Sequence, residues 1–414
     1  MHRSTHRAVG GSTLALALCA SLALPAGSAP LERSSGPTAS PASPATSSLQ
    51  GESCNDNTGD TGSDSWLSHA ELGDRLHRLE RQTRGTVQVD TIGQSNQGRD
   101  VWSARVGQGD KVILLQSEIH GNEKTGTHAL LSLLKEASKN SPQAKELREQ
   151  VTIVAVPQLN PDASELDRRA NDRTWDEVVA DFPQLAGANA PWNYYTQPRQ
   201  GDDYASQPGF DVNRDFHPDL DYVPSAQDFP GTSADPGWYI HPESQNIRDL
   251  YTDLQSEFGA VDTFVDLHHQ GPCYLVGDTG EEVTLSLSGK FVDIENHAQY
   301  DKGYDLEYSK RLNVAALDAL QARGNSPFGN ISLYEQEIDL PGTALGSFAL
   351  NGSGTVLFEV RGQTQSWGAK KKGQLVKAVE TGLMGIVTSV ADDSVTELDP
   401  TRYDDIPPTT YPRS

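Results

Sequence analysis

The sequence predicts an α/β domain in which helices cover both faces of a sheet. Two patterns carry this prediction. Between about residues 65 and 395, short runs with strand composition alternate with amphipathic helical stretches, the arrangement that sandwiches a sheet between helices. One of the runs, QVTIVAVPQL, is nearly all apolar, as expected for a strand buried on both faces. No internal repeat and no composition break interrupts 65–395, so a single domain of that extent is expected.

The elements follow in order. The stretch DSWLSHAELGDRLHRLERQTRG places Leu67, Leu72, Leu76 and Leu79 at helical intervals, with Ser68 or Asp64 available as cap. TVQVDTIG, RDVWSARVG and KVILLQSEI are three strand-like runs separated by turns that contain glycine. TGTHALLSLLKEASK reads as an amphipathic helix and QVTIVAVPQL as the next strand. A long polar stretch from about 165 to 245 has little periodicity and is rich in Pro, Asp, Tyr and Gln. Beyond it come a helix (HPESQNIRDLYTDLQSEF), a strand (VDTFVDLHHQ), a helix (YSKRLNVAALDALQAR), a strand (GTVLFEVRG) and a long final helix from Lys370 to Asp393. Residues 396–414, acidic and Pro-containing, are expected to form a disordered tail.

The N-terminus reads as a secretory signal over residues 1–29. His2, Arg3, His6 and Arg7 form a basic start, STLALALCASLALP an apolar core, and AGSA a small-residue cleavage site. Cys19 raises the rival of a lipoprotein signal, but Leu18 before it is not small and the apolar stretch continues past it. Residues 30–64, rich in Ser, Pro and Thr, read as a flexible linker. The expected location is therefore secreted, with no membrane span in the mature chain. Cys54 and Cys273 remain after processing and permit one disulfide, worth roughly 4 to 5 kcal/mol in the chain-entropy model; two unpaired thiols are the alternative. A net charge of −24 over 414 residues argues against nucleic acid and anionic membrane surfaces as partners.

His120-Gly-Asn-Glu123 puts an imidazole and a carboxylate three residues apart. The same spacing recurs as His77-Arg78-Leu79-Glu80, in mid-helix among Arg78, Arg81 and Arg84, where a solvated helix face is expected. His120 and Glu123 instead follow an apolar strand and precede a helix, at the strand's carboxyl end, where open α/β sheets bind ligands. Together the two groups suit zinc. A third ligand is expected from another strand end, and FVDLHHQG supplies His268 or His269, which alternation sends to opposite faces. In GTVLFEVRG, alternation puts Leu357, Glu359 and Arg361 on one face. A carboxylate in so apolar a strand needs a job or a partner; Arg361 is the available partner.

These motifs, with LNPDASE, RRAND and GFDVNRDF between them and IGQSNQGRDVW upstream, occur in the order found in the zinc carboxypeptidases of the carboxypeptidase A type, which the chain resembles from about 66 to 390. The resemblance implies a single domain with a mixed, mostly parallel twisted sheet. It implies one zinc ion held by His120, Glu123 and His268, with a fourth position for water. Asn213 and Arg214 would grip the substrate's C-terminal carboxylate, and Asp211 would fix a ligand imidazole. Arg169 would polarise the scissile carbonyl, with Arg168 taking the position if the alignment slips by one. Glu359 would be the general base and Tyr334 the mobile tyrosine that closes over substrate. Thr343, Ala344 and Leu345 would line the specificity pocket; no acid lies among them, which points to apolar C-terminal residues, and Asp339 is the nearest acid. The expected protein is a secreted, monomeric metallocarboxypeptidase acting on peptide C-termini. The alternatives are a peptidoglycan stem-peptide carboxypeptidase or amidase, a catalytically inactive peptide-binding module, and a zinc deacylase of small acylated molecules, the last disfavoured by Asn213 and Arg214.

Overall fold

Capping chemistry fixes where the first described helix starts. In the computed structural model, which describes residues 66–324, 328–362 and 368–411, Ser68 and Glu71 close a reciprocal capping box on helix α1 (His69–Thr83). Arg84 ends this helix in the left-handed conformation. The expected signal segment, the linker and Cys54 lie outside the described residues.

Strands β1 (Val87–Gln94), β2 (Asp100–Gly107) and β3 (Lys111–Ser117) come next, then helices α2 (Thr125–Ala137) and α3 (Pro142–Gln150) and strand β4 (Val151–Val156). The polar stretch contributes short elements: α4 (Pro161–Glu165), α5 (Trp175–Asp181), β5 (Tyr194–Tyr195) and β6 (Gly209–Phe210). Then follow α6 (Pro242–Phe258), β7 (Thr263–Gln270), β8 (Leu275–Val276), β9 (Leu285–Ser288), α7 (Leu306–Gln321), β10 (Ile331–Leu333), α8 (Ala344–Leu350) and β11 (Gly354–Arg361). The chain finishes with α9 (Gly368–Ala391), α10 (Thr401–Asp404) and β12 (Thr409–Thr410).

Eight strands form one sheet in the order β1-β2-β4-β3-β7-β11-β9-β10. The pairs β4/β3, β3/β7, β7/β11 and β9/β10 are parallel, while β1/β2, β2/β4 and β11/β9 are antiparallel. The expected mixed, mostly parallel sheet is thus present, with β4, β3, β7 and β11 parallel at its centre and a further parallel pair, β9/β10, at one edge. Every residue of β4 and β7 is buried, because helices cover both faces. One face packs Ile113, Leu115, Val265, Leu267, Val356 and Phe358 against α1, α2, α7 and α9. The other packs Leu114, Val154, Phe264 and Leu357 against Ile247 and Tyr251 of α6 and Phe348 of α8. Alternation therefore places Asp266, His268 and Glu359 on the α6–α8 face.

Two segments differ from expectation. The polar stretch carries its own small core of Val178, Leu185, Phe210, Trp238 and Ile240; widely spaced apolar residues collapse together there without a periodic pattern. The expected disordered tail is folded through residue 411. Tyr403 and Ile406 are 1% and 4% exposed, and β12 pairs with β8. The Tyr403 hydroxyl donates to Gln336 Oε1 at 2.8 Å and accepts from Gly289 N–H at 2.9 Å. Two buried rings or branches every few residues suffice to anchor a segment whose composition is otherwise polar. Removing this anchor by Tyr403→Ala should cost about 3–5 kcal/mol of stability, measured by denaturant unfolding. Tyr403→Phe, which gives up only the hydroxyl's two bonds, should cost about 1–3 kcal/mol. A tail without structure would leave both variants unchanged.

Candidate metal centre

The His-Gly-Asn-Glu segment leaves β3 through a sharp turn. Glu118 has φ 53° and is buried, its carboxylate accepting from Gln158 Nε2 at 2.9 Å and from the Thr127 hydroxyl. Leu159 and Asn160 N–H groups donate to the carbonyls of Ser117 and Glu118 at 3.0 and 2.9 Å. Lys124 Nζ donates to the Ser164 carbonyl at 2.9 Å and pairs with Asp167 at 3.0 Å. Gly121 is required where this segment crosses α4: a Cβ there would lie 1.9 Å from the Ala163 backbone. Glu118 and Lys124 thus clamp the turn that presents His120 and Glu123.

β7 brings the third group. His120 Nδ1 lies 3.0 Å from Glu123 Oε1 and 3.1 Å from His268 Nδ1, and His268 Nδ1 lies 2.8 Å from Glu123 Oε2. All three side chains are buried. His269, facing the opposite way, accepts from Thr125 N–H at 3.0 Å through Nε2 and belongs to the packing. The twin spacing at His77 and Glu80 is a half-buried helix face, the two groups 3.6 Å apart and Glu80 accepting from Val89 N–H at 3.1 Å.

The outer nitrogens are held as well. His120 Nε2 lies 3.2 Å from Asp211 Oδ1, so its Nδ1 is turned towards the triad with its lone pair free for a cation. His268 Nε2 lies 2.9 Å from Asp266 Oδ2 and 3.3 Å from Asn213 Nδ2. Burial pushes the Glu123 carboxyl up, but the two imidazoles outweigh it and hold it well below the usual range. Two imidazole nitrogens and one ionised carboxylate converging in a buried cluster match the donor set of zinc.

Asp211 joins the neighbouring parts. Its Oδ2 accepts from Arg169 Nε at 2.9 Å, Arg169 Nη2 at 2.8 Å and the Tyr195 hydroxyl at 3.2 Å. Its Oδ1 also accepts from Asn213 N–H at 3.0 Å. Burial would raise its pKa, but Arg169 and His120 together depress it strongly. The two neighbouring arginines are placed differently. Arg169 lines the cleft, with Nη1 3.2 Å from His120 Nδ1. Arg168 points away and spends its guanidinium on the carbonyls of Ala170, Gln207, Asn171 and Pro208.

The cleft, about 340 Å³, is lined by the triad together with Arg169, Asn213, Arg214, Tyr334 and Glu359. β11 runs parallel to β7 with Glu359 opposite His268. Glu359 Oε2 has no hydrogen-bond partner among the described residues, and burial raises its pKa to about 8, with Glu123 adding to the rise and His268 opposing it. A cation on the triad would draw it back down. Arg361 turns instead to the Pro272 carbonyl and to Glu282, so Glu359 is left to the cleft. Arg214 donates to the Asn213 carbonyl at 2.7 Å, while its Nε has no partner among the described residues.

A family model described as zinc carboxypeptidase matches residues 74–386. The chain belongs to this family. Carboxypeptidase D of Mus musculus and of Homo sapiens are each 31% identical to it over 108 residues, 24% of this chain and 8% of theirs; the match spans a small part of those longer relatives. Among solved structures, carboxypeptidase A from Helicoverpa armigera superposes with a TM-score of 0.52 at 18% identity, covering 81% of this chain and 74% of that one. Bovine thrombin-activatable fibrinolysis inhibitor, solved with a tick carboxypeptidase inhibitor, gives 0.52 at 13% identity, covering 81% and 99%. At that identity the likeness concerns the fold.

Some residues of the zinc carboxypeptidase cleft are not legible from local motifs. Tyr274 and Phe291, which line it, carry no pattern that marks them, and neither does Tyr195, which donates to Asp211 behind it. Asp266 could have been found, since it precedes His268 by two on the same strand face. Asp211→Asn should weaken zinc affinity about 10–100-fold in a chelator competition, with folding otherwise intact by circular dichroism. Unchanged affinity would mean that Asp211 does not orient His120.

Proposed function

We propose that the protein is a secreted zinc carboxypeptidase that removes single residues from peptide C-termini. The observation that carries the reading is Glu359, whose Oε2 has no hydrogen-bond partner among the described residues, in the same cleft as the His120–Glu123–His268 cluster and the Arg214 guanidinium. One zinc ion per chain would be held by His120, Glu123 and His268. When bound, it supplies Lewis acidity towards a carbonyl and makes water a nucleophile near neutral pH. The rest of the work falls to the chain. Glu359 takes a proton from the attacking water and delivers it to the departing amine. Arg169, held by Asp211, donates to the carbonyl oxygen as it gains charge. Arg214 and Asn213 bind the terminal carboxylate, which restricts cleavage to the last bond. Tyr334 stands at the same cleft, its hydroxyl proton held more firmly by the nearby Glu359 charge and by burial, and can close over the substrate.

The wall for the C-terminal side chain is mostly apolar, with Phe291, Ile338, Leu340, Leu345 and Leu357 beside Thr343, and the acid near it, Glu335, is solvent-exposed. Asp339 is consumed elsewhere, accepting from His297 Nε2 at 2.9 Å, Asn296 Nδ2 at 2.8 Å and Asp293 N–H at 3.1 Å. We therefore assign a preference for apolar C-terminal residues. Secretion is supported by the basic start and apolar core of residues 1–29, and among the described residues no helix is long and apolar enough to cross a membrane. A monomer is the working state for the assays below.

The decisive experiment incubates the full chain with a mixed peptide pool and muropeptides, with and without chelator, and reads the products by mass spectrometry. Chelator-sensitive loss of single C-terminal residues is expected from the peptides; cleavage confined to muropeptides would move the substrate to peptidoglycan, and internal cleavage would overturn the reading. Glu359→Gln should retain zinc and lose about 10²–10⁴-fold in kcat. Peptides ending in Phe or Leu should be cleaved in preference to matched peptides ending in Lys or Asp, compared by kcat/KM.

A further inference from the structure

The folded C-terminal segment reaches the rim of the cleft. Leu333 N–H donates to the Pro407 carbonyl at 2.7 Å and Gly277 N–H to the Pro408 carbonyl at 2.8 Å. Thr409 Oγ1 lies 2.8 Å from the hydroxyls of both Ser286 and Ser332, and Thr410 Oγ1 donates to the Gly277 carbonyl at 2.7 Å. With β12 paired to β8, residues 407–410 form a strap pinned at every position. The strap ends on Tyr411, which is 63% exposed and packs edge-on against Tyr274, ring centroids 4.7 Å apart at 74°.

Tyr274 belongs to the cleft. It lines the same cavity as Glu359 and Tyr334, and its ring lies over Gly271, where an added Cβ would come within 3.0 Å of it. Its backbone is fixed too: the Tyr274 carbonyl accepts from Val283 N–H at 2.8 Å, and its neighbour Cys273 is disulfide-bonded. The pair is thus a rigid aromatic step, with one ring in the cleft and the other in solvent.

The C-terminal residue of a substrate has its contacts elsewhere, in Asn213, Arg214 and the apolar wall. The residues before the scissile bond have to leave the cleft over its rim. A fixed pair of tyrosines at that rim is suited to them, because tyrosine offers large contact area at little entropic cost. We propose that Tyr274 and Tyr411 form an aromatic platform for the peptide upstream of the scissile bond, making the C-terminal strap part of the substrate-binding surface and favouring an aromatic or apolar residue at that position. The inference rests on the carboxypeptidase reading above.

The test compares zinc-loaded full-length protein on two blocked dipeptides that share a C-terminal phenylalanine, acetyl-Gly-Phe and acetyl-Phe-Phe. Wild type should prefer the second in kcat/KM, through KM. Tyr411→Ala should lower that preference roughly three- to tenfold, Tyr411→Phe should keep it, and the Tyr274→Ala/Tyr411→Ala double variant should lose no more than the worse single. Zinc content and thermal midpoint, read in parallel, identify any variant that has lost its fold, and Tyr411→Phe then carries the comparison. A preference unchanged in Tyr411→Ala, or both substrates falling equally, would overturn the platform while leaving the carboxypeptidase intact. Failure of wild type to cleave either substrate with zinc bound would remove the carboxypeptidase reading and the platform with it.

Discussion

The buried carboxylate of Asp211 is the interaction on which the site depends. It holds the outer nitrogen of His120, the Nε and Nη2 of Arg169, the Tyr195 hydroxyl and the Asn213 backbone. These partners come from four separate stretches of chain. A buried carboxylate without donors would be strongly unfavourable, and with them it is held ionised. One charge therefore orients the imidazole of His120, the guanidinium of Arg169 and the backbone at Asn213. Loosening it would disturb all three together, because each relies on the same two oxygens.

The sheet supplies what Asp211 does not. Parallel strands β3, β7 and β11 end side by side, so His120, His268 and Glu359 emerge at one edge although nearly 240 residues separate the first from the last. The β11/β7 register sets Glu359 opposite His268; a shift of one residue would turn Glu359 into the α7–α9 core. The apolar layers on both faces hold that register, since Phe264 and Leu357 must face α6 and α8 while Val265 and Phe358 face α9. Packing far from the cleft is in this sense part of the chemistry.

Several buried charged groups around the site are engaged by the fold, while two groups lining the cleft keep an atom without a partner. Glu118, Lys124, Arg168 and Arg361 are buried and fully engaged with carbonyls, amides or carboxylates. Glu359 and the Nε of Arg214 are left without partners among the described residues. Gln116, Arg173 and Glu243 also keep unpartnered atoms away from the cleft, so what marks Glu359 and Arg214 is the lack of a partner together with their place on the cavity wall.

The sequence by itself determined the α/β class, the central strands and the His120–Glu123 pair of the candidate metal centre, because those rest on local periodicity and on motifs a few residues long. His120 stands out from His77 by its place after an apolar run, and Glu359 by being a lone acid in an apolar strand. What needed tertiary structure were the choices between neighbours and the long-range partners. Arg168 and Arg169 are equivalent in sequence and separate only when one meets four carbonyls and the other meets Asp211. Tyr195 and Tyr274 have no local signature, since their roles come from what folds against them. The tail past 396 looks disordered by composition, yet Tyr403, Ile406 and β12 find their partners in β8, β9 and β10. Composition measures how a segment interacts with water; whether it folds depends on apolar partners that only the assembled domain can offer.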